Sequence, residues 1–122
     1  MNWWMLAGSA MAAICAVGHA VAGRKMFYRP IRTAIKDDLA GVFTGLWHLI
    51  TIHFTLSALA LGALAVRGGH DVAVGLIAAQ FAGYAVVYLL ISMRLGSAFK
   101  LFQWIPFAAT ALLAAAGALF GP

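Results

Sequence analysis

The stretch Gly41 to Val66, GVFTGLWHLITIHFTLSALALGALAV, sets the architecture. It is longer than the roughly 20 apolar residues that carry an α-helix across a ~30 Å hydrocarbon layer. A helix buried in a soluble core seldom needs so long a run, so the stretch predicts a membrane span. It also carries two histidines, His48 and His53, and several hydroxyls.

Around it, apolar segments fall at about residues 3–22, 42–66, 72–93 and 101–119, separated by short polar breaks. Together they use almost all of the 122 residues. The fold class read from this pattern is all-α, an integral membrane antiparallel four-helix bundle, with 1–122 forming a single transmembrane domain. Charged residues make up 9% of the chain against roughly 25% in soluble domains, which leaves no room for a soluble catalytic domain.

The net charge is +5, but the basic residues flank apolar segments and form no nucleic-acid-reading motif. The bilayer and its anionic lipids are the expected partners, and no nucleic acid is. The first and third breaks hold seven of the eight Lys and Arg, the second only Arg67. By the positive-inside rule both termini lie outside a cytoplasmic membrane, with those two breaks in the cytoplasm. The N-terminal MNWWMLAGSAMAAICAVGHAVAG is read as a retained helix, because no basic residue precedes its apolar run and Arg24 and Lys25 follow it.

In the first segment Gly8, Ala12, Cys15 and His19 recur at steps of four, three and four, which makes one small helical face. Pro30 is expected to end any helix continuing from that segment and to hold Arg29 extended. Ile31 to Leu39 reads either as a short helix on the membrane surface or as a solvated loop. In the second segment Thr44, His48, Thr51 and Thr55 share a side with Ala58 and Gly62, while His53 points away from it. Arg67-Gly-Gly-His70-Asp71 reads as a tight turn. In the third segment Gly75, Ala79 and Ala82 form a small face, with Gln80, Tyr84 and Tyr88 on the other side. The Gly and Ala faces suit a homo-oligomer or a membrane-protein partner.

His19 and His48 sit at similar depth on adjacent antiparallel helices, and ionisable groups within a span are expensive enough to require a role. Three readings of the pair stand side by side. In one, His19 and His48 ligate a haem b iron, with Arg24, Arg29 or Arg94 meeting its propionates. In another, Cys15, His19 and His48 bind a transition metal, a thiolate and two imidazoles suiting copper or zinc. In the third, which leads, the imidazoles hydrogen-bond each other, a carbonyl, or Thr44 and Thr51, and specify helix register. A second polar cluster is expected from Thr51, His53, Gln80 and Tyr84. No Asp or Glu lies inside a span, which removes the embedded acid of a proton-coupled exporter. No serine has a Gly-x-Ser-x-Gly setting, so no hydrolase site is expected.

His19, Gly23-Arg24, Arg29-Pro30 and Trp47-His48-x-x-Thr51 together resemble a family of small bacterial integral membrane proteins with four helices and no established activity. The resemblance covers the first half of the chain. It implies a bacterial inner-membrane location, that architecture, and a role for the His, Arg and Trp-His group. The expected function is a non-enzymatic accessory subunit or small-ligand-binding component of the membrane, the alternative a haem or metal protein in electron transfer or metal handling.

Overall fold

The computed structural model of the chain describes residues 1–68 and 71–121. Four helices account for most of them, with no strand among the described residues. Helix α1 is Trp3–Ala34, α2 is Asp37–Arg67, α3 is Asp71–Arg94 and α4 is Trp104–Phe120. The first three are long and apolar enough to cross a membrane. α4 has 17 residues, about 26 Å of helix, a little less than the ~30 Å hydrocarbon thickness.

α4 begins later than the apolar run because the preceding residues form a bonded turn. Ser92, fully buried at the end of α3, donates its hydroxyl to Ser97 O (2.7 Å) and accepts the Leu101 N–H (2.8 Å). Gly96 supplies the left-handed step at φ +100°, and Trp104 Nε1–H donates to Ala98 O at 2.8 Å. At the other end of the bundle α2 closes on Gly68, also left-handed at φ +72°. Gly69 and His70, the middle of the expected tight turn, lie outside the described residues.

Neighbouring helices run antiparallel. The Asn2 N–H donates to Ala65 O (2.8 Å) and Ser9 Oγ to Ala58 O (2.7 Å), which joins the start of α1 to the end of α2. α1 also lies along α4, with Gly8 against Leu113 and Ala114, and α4 lies along α3. Of the helix pairs that neighbour one another, α2 and α3, although consecutive in the chain, have the most widely spaced backbones. Large side chains fill that wider edge. Phe54 of α2, Phe81 of α3 and Phe107 of α4 meet with ring centroids 5.4–6.1 Å apart, over Ala12, Cys15 and Ala16 of α1. A second cluster of Met5, Leu61, Ala65, Val74, Ala78 and Ala114 completes the core.

The core face of α3 is Val74, Ala78, Phe81 and Ala85, all buried. Gly75, Ala79 and Ala82, the expected small-residue face, are turned outward. Large apolar side chains are exposed on every helix, among them Ile14, Leu49, Leu76 and Leu112.

α1 departs from the expected helix in its second half. Trp3–Gly18 is α-helical, His19–Tyr28 is π-helical, and Arg29–Ala34 is α-helical again. Contrary to the expectation from sequence, Pro30 does not end the helix and Arg29 is not extended, having φ −61° and ψ −50°. Pro30 falls in the first turn of the restarted α-helix, where a missing N–H costs little. The Arg29 N–H bonds back five residues to Arg24 O, so the hydrogen-bond register is already changing there. Neither a surface helix nor a solvated loop spans Ile31 to Leu39. The chain turns through Ile35 and Lys36 alone, and Asp37 and Asp38 fill the first turn of α2, where the helix dipole favours acids.

Candidate functional site

The edge between α2 and α3 carries the most connected polar side chains among the described residues. His53 lies one position before the core residue Phe54, and Gln80 one before the core residue Phe81, so both stand at the rim of the aromatic layer. Tyr84, one helical turn beyond Gln80, has its ring against Phe54, Phe81 and Phe107 at 5.7–5.9 Å. The Gln80 amide donates an N–H to Tyr84 Oη at 2.7 Å, and the same amide nitrogen contacts His53 Nε2. The His53 and Tyr84 rings meet edge to face at 6.0 Å and 90°. Buried Ser57, one turn along α2, brings its hydroxyl within 3.5 Å of the same imidazole nitrogen. His53, Gln80 and Tyr84 sit near the middle of their helices and are half-buried, closed on the core side by phenylalanines and partly exposed at the bundle's side.

Of the four residues expected in this cluster, the structure gathers His53, Gln80 and Tyr84. Thr51 stands apart, its hydroxyl bonded to Trp47 O of its own helix at 3.1 Å.

A second constellation lies toward the basic end, between α1 and α2. The His19 ring stacks on Trp47 with centroids 3.9 Å apart and planes 21° from parallel, and its Nε2 lies 3.2 Å from Trp47 O. Gly23 admits the indole: a Cβ there would stand 3.1 Å from Trp47 Cη2. Tyr28 Oη and Thr44 Oγ1 are 3.0 Å apart, and the Tyr28 ring packs on Phe43 and Trp47. The π-helical turn is what brings these together. At 3.6 residues per turn Tyr28 is rotated about 180° from His19, nine positions earlier. Bonding five residues back widens the turn to about 4.4 residues and returns Tyr28 to the His19 face.

The structure sets His19 against Trp47 rather than His48, and Cys15 in the core. Trp47 occupies the face opposite His19, and His48, one residue later, is turned about 100° away and exposed. Cys15 is buried in the core beside Ala12 and Ala16. Among the described residues no three His, Cys, Asp or Glu side chains are gathered where a metal ion could be held. Arg24, Arg29 and Arg94 are exposed, and His19 is half-buried against Trp47.

Sequence reasoning missed two polar residues that organise the bundle. Buried Asn2 caps α1 by accepting the Met5 N–H (3.1 Å) and donates its amide to Gly117 O of α4 (2.7 Å). Its position just before an apolar helical run is an N-cap signal. Ser92, which shapes the turn into α4, carries no comparable signal. Compared with family models, with curated proteins and with solved structures, the chain matches none.

Proposed function

We propose that the chain is an integral membrane protein whose four helices cross the bilayer, with both ends outside and the two basic connections in the cytoplasm. Three helices of sufficient length and apolarity support this, as do the exposed apolar side chains on every helix and the concentration of Lys and Arg at one end. α4 is short, and the apolar Leu101 and Phe102 before it extend its hydrophobic reach.

Within that setting the protein acts without catalysis, as a binding component for a small lipophilic molecule bearing a carbonyl or hydroxyl group. The observation that carries this reading is the His53–Gln80–Tyr84 network, partly exposed at the bundle's side beside an aromatic wall. An imidazole, an amide and a phenol in hydrocarbon are costly, and a partly exposed set of donors and acceptors suits a ligand arriving from the bilayer.

The test is mass spectrometry of the organic extract of protein purified in mild detergent from its native membrane. A stoichiometric small molecule is expected with the unaltered chain, reduced at least about tenfold in both His53→Leu and Gln80→Leu. Equal recovery from the variants, or no small molecule with the unaltered chain, overturns the ligand role.

A further inference from the structure

The π-helical segment also rearranges charge. Arg24 and Arg29 are five residues apart, about 140° around an α-helix and therefore on different sides. In the π-helical turn the Arg29 N–H bonds to Arg24 O, which places one above the other, about 50° apart. Lys25, four residues before Arg29, falls on the same flank. The face toward α2 is taken by His19, Gly23 and Tyr28, and the remaining flank is apolar, with Val21 and Met26 exposed. Three cations thus stand together beside an apolar strip. Among the described residues none of the three pairs with a carboxylate; the one ion pair there is Arg32 with Asp37, at 3.9 Å. At the same end of the bundle the turn into α4 exposes Phe99 and Phe102 on either side of Lys100, a pattern that marks the level of the headgroups.

We infer that Arg24, Lys25 and Arg29 form a binding site for the phosphate of an anionic phospholipid, whose acyl chains lie along the Val21–Met26 flank. The inference rests on the membrane reading above. Unpaired cations at the headgroup level attract anionic lipid, and two arginines one π-helical turn apart can offer phosphate oxygens planar, bidentate donors that a diffuse positive potential lacks. Trp47, packed on Gly23, lies at the same level and reports on the site once Trp3, Trp4 and Trp104 are replaced by Phe in every protein compared.

The experiment uses the full chain in neutral phosphatidylcholine micelles and bilayers, with tryptophan quenching by brominated phosphatidylglycerol compared with brominated phosphatidylcholine. The unaltered protein should prefer the anionic lipid by at least about tenfold, and addition of salt to about 0.5 M should reduce the preference. The variant Arg24→Gln/Lys25→Gln/Arg29→Gln should bring it to near unity, with helicity and thermal transition unchanged because all three side chains are exposed. Arg67→Gln, at the opposite end, should keep it. An equal preference in the triple variant overturns the site. Retained preference in Arg24→Lys/Arg29→Lys with loss in the triple variant supports a charge-based site, and loss in both supports bidentate recognition. Displacement of the lipid by millimolar inorganic phosphate overturns the lipid assignment in favour of free phosphate. Failure of the unaltered protein to insert into neutral bilayers would count against the membrane reading itself, separately from the site.

Discussion

The side chains between α1 and α4 include Gly8, Ala12, Ala111, Ala114 and Gly117; those between α2 and α3 include Phe54, Leu61, Val74, Gln80, Phe81 and Tyr84. The first set lets two backbones touch. An added Cβ on Gly8 would meet Ala114 N at 3.4 Å, and one on Gly117 would stand 2.5 Å from Met5 Cγ. The second set holds two backbones apart and fills the space with rings, which leaves a rim where polar atoms of His53, Gln80 and Tyr84 find each other. In the bilayer proposed for this chain, where burial of carbon supplies little drive, helices either approach closely through small residues or are spaced by large ones. Of these two edges, the spaced one gathers the cluster of His53, Gln80 and Tyr84.

The largest effect expected on this contrast comes from emptying the wide edge. Phe81→Ala should cost about 3–5 kcal/mol, read as lost stability in denaturant titration in micelles, since the ring is fully buried among Phe54, Tyr84 and Phe107. Overfilling the close edge comes next: Gly117→Ala should cost about 1–3 kcal/mol by the same titration, as its methyl collides with Met5. The smallest effect, and of opposite sign, belongs to Gly75→Ala on the outward face of α3. Nothing lies within 4 Å of a Cβ there, so stability should stay level or rise by up to about 1 kcal/mol through helix propensity. Equal losses at Gly117 and Gly75 would erase the contrast, because a glycine's cost would then owe nothing to its helix neighbour.

Much of the fold was legible from composition and run length. Apolar runs separated by polar breaks specify four helices, three of them long and apolar enough to cross a bilayer, and the small face of Gly8, Ala12 and Cys15 does face a neighbour. The candidate sites were legible unevenly. His53, Gln80 and Tyr84 could be grouped because polar residues at mid-length of apolar helices have few partners. Sequence pairs His19 with His48 where the structure sets His19 against Trp47, because helical depth says how far along an axis a residue lies and little about its azimuth. Trp47, one position away, took the facing site and left His48 outside. Likewise the small stripe of Gly75, Ala79 and Ala82 is regular in sequence, yet the neighbouring stripe of Val74, Ala78 and Phe81 became the core face because its larger side chains fill the wide edge.

An all-helical chain with long apolar helices, basic residues concentrated at one end and polar residues at mid-length is thus written in the order of the amino acids. These properties follow from hydropathy and periodicity, which are local and additive along the chain. Three-dimensional packing was needed to settle which helix edges are close and which are wide, which histidine is enclosed and which exposed, and that α1 widens into a π-helical turn and continues past Pro30. Those features depend on rotation of each helix about its axis. That rotation is set by the fit of facing side chains, such as Trp47 against Gly23, which no single helix contains.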